Sequence, residues 1–167
     1  MVPTMTIEFK VPNVPLFNGT SSKVIDEEFR QALNAGVLHL KGQIQPATPV
    51  GVTSHLRQGV QTSITGAATS LVGRVFDPVA YAMAVEGGSR PHFPPVAPLQ
   101  LWVRRKLGIG NEKEARSVAF LIARAISRRG TPAVRMFRNA WDANRDRVVG
   151  FFEAANARIV ARLVGKG

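Results

Sequence analysis

From Pro132 to Val164 the chain reads as one helix, and its length limits every fold the rest can adopt. Phe137, Trp141, Val148, Phe152, Ala155, Ile159 and Leu163 recur along it at helical spacing. A continuous helix there spans about 50 Å at 1.5 Å per residue. A domain of 167 residues is hard pressed to bury such a rod unaided. Part of the helix is therefore expected to pack on another subunit, and Gly150 is the expected kink.

The remaining segments predict a small sheet and further helices. Met5, Ile7, Phe9 and Val11 alternate with Thr6, Glu8 and Lys10, the two-residue period of a half-buried strand. Pro12 to Thr20 reads as an extended arm. Ser21 or Ser22 is placed to cap a helix that carries Ile25, Phe29, Leu33, Val37, Leu40 and Ile44, with Pro46 and Pro49 ending it. Thr53 is placed to cap a short turn through Leu56 and Arg57. Residues 61–65 and 70–76 predict a hairpin turned at 66–69. Asp77-Pro78 looks like the start of a short helix that Gly87 and Gly88 stop. Two helices follow, 96–107 carrying Leu99, Trp102, Val103 and Leu107, and 112–129 with Ala115, Val118, Ala119, Ile122, Ala125 and Ile126 on one face. Gly130-Thr131-Pro132 breaks the second from the long helix. The organisation expected is residues 1–21 as strand and extended arm, then 22–167 as a single α+β domain.

Charge is sharply divided. Residues 1–88 carry six Lys and Arg against six Asp and Glu, and residues 89–167 carry 16 against 5, so the whole net charge of +11 sits in the second half. Most of that excess is Arg, which suits fixed contacts with carboxylate or phosphate. Such a surface attracts nucleic acid or an acidic protein, or is simply a solvated helical face.

Familiar chemistry finds no purchase in the sequence. Without cysteine there is no disulfide or thiolate chemistry. His39, His55 and His92 have no metal-ligand spacing, and no cofactor or catalytic role is expected. Asp142 and Asp146 lie one turn apart but among Arg138, Arg145 and Arg147, so helix ion pairs are expected there. Glu86 closes a short helix, where a carboxylate is disfavoured, and Arg90 is near enough in sequence to pair with it. No apolar run reaches membrane-spanning length, and the first ten residues lack the order of a signal peptide. A soluble cytosolic product without membrane contact is the expectation.

An ordered set of motifs resembles a known family. Pro49-Val50, Thr53, Leu56-Arg57 and Ser63-Ile64 are followed by Tyr81-Ala82, Val85-Glu86 and Gly88. Arg90-Pro91-His92, Pro94-Pro95, Leu101-Trp102-Val103, Arg128-Arg129-Gly130-Thr131-Pro132 and Met136 to Trp141 come after in that order. Together they resemble the siphophage neck and minor-tail family of head–tail joining or tail-completion proteins, over about residues 22–164. The pattern departs where the family carries Asp-Thr-Gly and this chain has Val52-Thr53-Ser54, with one extra residue after Pro49-Val50.

The resemblance implies an α+β protomer with a small twisted antiparallel sheet flanked by helices and a long C-terminal helix. It implies a structural virion protein without catalysis or cofactor. By family analogy the protein forms a six-fold ring, or a twelve-fold one on the connector side. Its neighbours would be the head connector or stopper and the tail terminator or tail-tube proteins, with DNA in the channel. The residues it singles out for interface and structure are Leu56, Arg57, Tyr81, Glu86, Arg90, Pro91, His92, Trp102, Arg128, Arg129 and Trp141. The competing expectation is a basic double-stranded DNA-binding protein gripping through the helices of residues 104–147.

Overall fold

The alternating N-terminal residues do form a strand, β1 (Thr4–Lys10). It is followed by α1 (Thr20–Ala47), α2 (His55–Gly59), β2 (Gln61–Ala67), β3 (Ser70–Phe76), α3 (Ala82–Gly87), α4 (Val96–Lys106), α5 (Glu112–Arg129) and α6 (Met136–Val164). The computed structural model describes residues 2–10, 20–51, 53–67 and 70–164. The architecture is α+β, with a three-stranded antiparallel sheet in the order β1-β3-β2. Both partners pair with β3 along its whole length, Ile7 and Ile64 each opposite Gly73. β1 thus belongs to the same sheet as β2 and β3. The 66–69 turn was expected to begin at Gly66, but β2 continues to Ala67. Most of the expected Pro-rich arm, and the turn residues 68 and 69, lie outside the described residues.

One face of the sheet is covered by α1. Leu71, Gly73 and Val75 of β3 are buried on that face, while Arg74 between them is exposed, the pattern of an antiparallel sheet with one dry side. Gly73 sets the approach distance. A Cβ there would stand 2.7 Å from both Leu33 Cδ1 and Val37 Cγ1.

The long helix finds its partner within the chain. α1 and α6 pack antiparallel along their lengths, with Gly36 against Val148 and His39 Nε2 2.9 Å from Asn144 Oδ1. α1, 28 residues long, thus covers one side of the 29-residue α6 within the chain. At 29 residues α6 is about 43 Å long, unbroken through Gly150. It begins at Met136 rather than Pro132, because Pro132 to Arg135 form a separate lead-in with Arg135 at φ 56°. All seven residues of the predicted stripe are buried or half-buried, and Met136 and Ala140 join them.

Polar contacts lock the far end of this pair. Glu28, almost fully covered, accepts from Arg158 Nε at 2.6 Å and Arg162 at 2.9 Å, and Glu27 accepts from Arg162 at 3.2 Å. The hydrogen bond from Arg158 is the main reason the Glu28 carboxyl titrates below its ordinary range. Arg162 adds to it, and burial opposes both.

Several helix ends differ from expectation. α1 starts at Thr20, so Ser21 and Ser22 lie inside it rather than capping it. Pro46 falls within its last turn, where Thr48 Oγ1 donates to the Ile44 carbonyl at 2.7 Å and carries the chain past the proline. The N-cap of α2 is Ser54 rather than Thr53, held at φ 56° without a side-chain cap, a conformation that favours glycine. Asp77 does not cap α3. Its Oδ1 accepts from Val79 N–H at 3.0 Å in an Asx turn, and α3 starts five residues later. Asp77 is fully covered, its Oδ2 has no hydrogen-bond partner among the described residues, and burial raises its pKa.

Candidate functional site: a basic helical arm on a clasped stem

Between Ser89 and Thr131 the chain leaves the main core and returns. α4 and α5 pack on each other around their own small cluster of Val103, Ala115 and Ala119, with Val96, Leu99, Val118 and Ile122 at its margin. Alanines at 115, 119 and 123 give α5 a flat inner stripe on which α4 can lie close. Asn111 caps α5 by accepting from Glu114 N–H, and the acids of its first turn and arginines of its last turn match the helix dipole.

The stem of this arm is a two-residue clasp. Ser89 and Thr131 exchange backbone hydrogen bonds, each 3.1 Å, and their hydroxyls lie 2.8 Å apart. Gly88 and Gly130 flank the clasp at φ 74° and 70°. A Cβ on Gly88 would sit 2.5 Å from the Thr131 carbonyl oxygen, and one on Gly130 would collide with the Ser89 carbonyl oxygen. Both positions therefore require glycine twice over, for backbone conformation and for space.

Glu86 fastens the stem to α6. Its carboxylate accepts from the backbone N–H of Phe137 at 2.9 Å and of Arg138 at 3.1 Å. Val85 and Glu86 carbonyls accept from Val134 and Arg135 N–H. The expected pairing with Arg90 is corrected by this geometry. The carboxylate that is misplaced at the end of α3 is well placed at the start of α6, where the helix has free N–H groups and a positive dipole end.

The arm carries most of the charge. Residues 90–130 contain nine Lys and Arg and two Glu, 9 − 2 = +7 of the total +11. Among the described residues, no ion pair involves any of them, whereas the rest of the chain pairs Arg30, Arg138, Arg145, Arg158 and Arg162 with its own acids. Large apolar side chains lie between these cations. Phe93 and Phe120 are 53% and 50% exposed with their rings 5.9 Å apart, and Leu121 is 60% exposed. Arg116, Ser117, Phe120 and Leu121 line a shallow hollow on α5.

The residues singled out in the sequence divide into three groups. Arg90, Pro91, His92, Trp102, Arg128 and Arg129 belong to the arm and are exposed, His92 with its Nδ1 2.9 Å from the Arg90 carbonyl oxygen. Trp102 and Leu107 face outward, and of α4 only Val103 is fully covered. Ala125 is likewise exposed, and Ala123 takes its place.

Glu86 and Trp141 meet at the body end of the stem. They line a groove of about 520 Å³ with Phe137, Met83 and residues 2–6. Tyr81 is exposed at the N-cap of α3.

Leu56 and Arg57 serve the fold. Leu56 is in the core, and the Arg57 guanidinium donates to the carbonyls of Pro46 (3.3 Å) and Thr48 (3.1 Å), closing the C-terminus of α1 with a cation.

The clasp was not read from the sequence. Its signal was the pairing of Gly88-Ser89 with Gly130-Thr131, seen there only as two chain breaks.

Among the described residues, no three His, Asp or Glu side chains gather as a metal site, and no helix is long and apolar enough to cross a membrane. No family model, curated protein or solved structure matches the chain.

Proposed function

We propose that this protein is a structural subunit of a tailed-phage neck. In this reading it forms a ring that joins or completes the tail at the head–tail interface, made in the bacterial cytoplasm and resident in the virion. The observation that carries the proposal is the arm. A clasped helical hairpin with nine cations that make no ion pair among the described residues, and with exposed aromatic side chains, is surface suited to burial on assembly. The sheet supports it, since β1 and β2 are its edge strands among the described residues, where a neighbouring protomer could pair. The motif resemblance supplies the phage context. Six-fold closure follows from that analogy, with twelve-fold as the connector-side alternative. The neighbours it names are the connector or stopper and the tail terminator or tail tube.

Native mass spectrometry and negative-stain microscopy of the purified protein, alone and with particles lacking it, test the proposal. A closed ring of six or twelve copies is expected. A monomer that neither rings nor joins particles refutes it.

The unpaired cations favour a second reading, a double-stranded DNA-binding protein. It predicts affinity for duplex DNA that falls steeply and linearly on a log–log plot against salt.

A further inference from the structure

We propose that the outward face of α5 docks onto an acidic-rimmed apolar surface of a different protein. The inference rests on the reading of this chain as a subunit of a larger assembly. Helical spacing places Lys113, Ser117, Phe120, Leu121, Arg124 and Arg128 on the side opposite Ala115, Ala119 and Ala123. Phe120 and Leu121 stand in the middle of that face, and cations stand at either end. Phe93 extends the apolar centre through its contact with Phe120. An apolar, aromatic centre within a charged rim is the anatomy of a protein–protein contact.

Charge complementarity selects the occupant. A second copy of this chain offers few acids to meet it, since the exposed Glu112 and Glu114 lie on the arm's own net +7 surface. Outside the arm it has 13 Lys and Arg against 9 Asp and Glu, a net +4. Asp26, Glu27, Glu28, Asp142 and Asp146 are held in ion pairs, Glu86 caps α6, Asp77 is buried, and Glu8 is engaged. Of those nine acids only Glu153 is exposed without such a contact among the described residues. DNA supplies the negative charge, but its phosphate backbone offers nothing to cover Phe93, Phe120 and Leu121. A protein surface with carboxylates around an apolar strip or cleft satisfies both halves of the face. In a ring, copies of this arm would then reach the adjoining tier and leave the sheet edges to contacts between protomers.

The test is fluorescence anisotropy with the intact protein and three labelled probes at physiological salt. The first is a synthetic amphipathic helical peptide with Leu on one side and Glu on the other. The second is the same peptide with every Leu replaced by Ser, and the third is a short DNA duplex. Binding is expected to the first and to be at least tenfold weaker to the other two. The Phe120→Ser, Leu121→Ser double variant should lose about tenfold or more of the binding to the first probe, as centre residues of interfaces do. Both side chains are exposed, so circular dichroism and the melting temperature should stay as in the parent. Arg124→Glu with Arg128→Glu should also abolish binding. Equal binding of both peptides, tighter binding of the duplex, binding untouched by the double variant, or no binding to any probe overturns the proposal. Native mass spectrometry of the same sample reports the ring separately. Peptide binding by a monomer upholds the docking face and refutes the ring.

Discussion

Replacing Glu86 by Ala removes the carboxylate that receives Phe137 and Arg138 N–H at the start of α6. Loss of a helix N-cap costs about 1 kcal/mol, and up to about 2 when the site is well ordered. An acid at a helix N-terminus contributes about 0.3–1 kcal/mol more through the dipole. The two together give about 2 kcal/mol, and both backbone donors are left without a partner. In a protein of this size 1 kcal/mol moves Tm by about 2–4 °C, so Glu86→Ala should melt about 4–8 °C lower. Glu86→Gln keeps one accepting oxygen and loses the charge, and should fall roughly halfway. Arg90→Ala should leave Tm unchanged, because Glu86 is bound to α6. Differential scanning calorimetry of the three variants decides the matter. A Glu86→Ala protein melting with the parent, or an Arg90→Ala protein melting as low as Glu86→Ala, would refute the capping role.

Four other outcomes are expected. Glu28 has a lowered folded-state pKa, so its contribution is present above the unfolded value of 4.5 and is lost as pH falls through the folded value. Urea midpoints should accordingly drop more steeply on acidification in the parent than in Glu28→Gln. Asp77 has a raised folded-state pKa, so its cost is felt above that value and relieved as pH falls toward 3.8. Asp77→Asn should therefore be more stable than the parent at neutral pH, and urea titration should show the gain shrinking in acid. Gly130→Ala strains the backbone and collides with the Ser89 carbonyl oxygen, so hydrogen exchange should show amides 89 and 131 losing protection while the α1–α6 core keeps it. Charge reversal at Arg128 and Arg129, both exposed at the end of α5, should lower the yield of assembled particles and move Tm by less than about 2 °C.

Periodic segments were legible because burial there repeats with the backbone. The stripe of α6, the apolar face of α1 and the strand alternation of β1 and β3 all follow from side chains facing one dry surface. Elements whose burial depends on a single neighbour are less legible. Trp102 and Leu107 look like core residues by type, but the arm is one hairpin thick and has no second layer to cover them. The partner of α6 was missed for a similar reason. Helix length is local, whereas the pairing of Glu28 with Arg158 joins residues 130 positions apart. The electrostatic conflict at Glu86 is legible in the sequence but its partner is not, since a backbone N–H at the start of a distant helix leaves no mark there. The clasp leaves only its two glycine-hydroxyl pairs, which do not by themselves say that residues 42 positions apart meet.

Electron microscopy of particles from a phage with an early stop codon in this gene tests the neck assignment most directly. The account predicts DNA-filled heads separate from finished tails, or tails of irregular length, with joining restored by the full-length protein. Normally joined, infectious particles would contradict it.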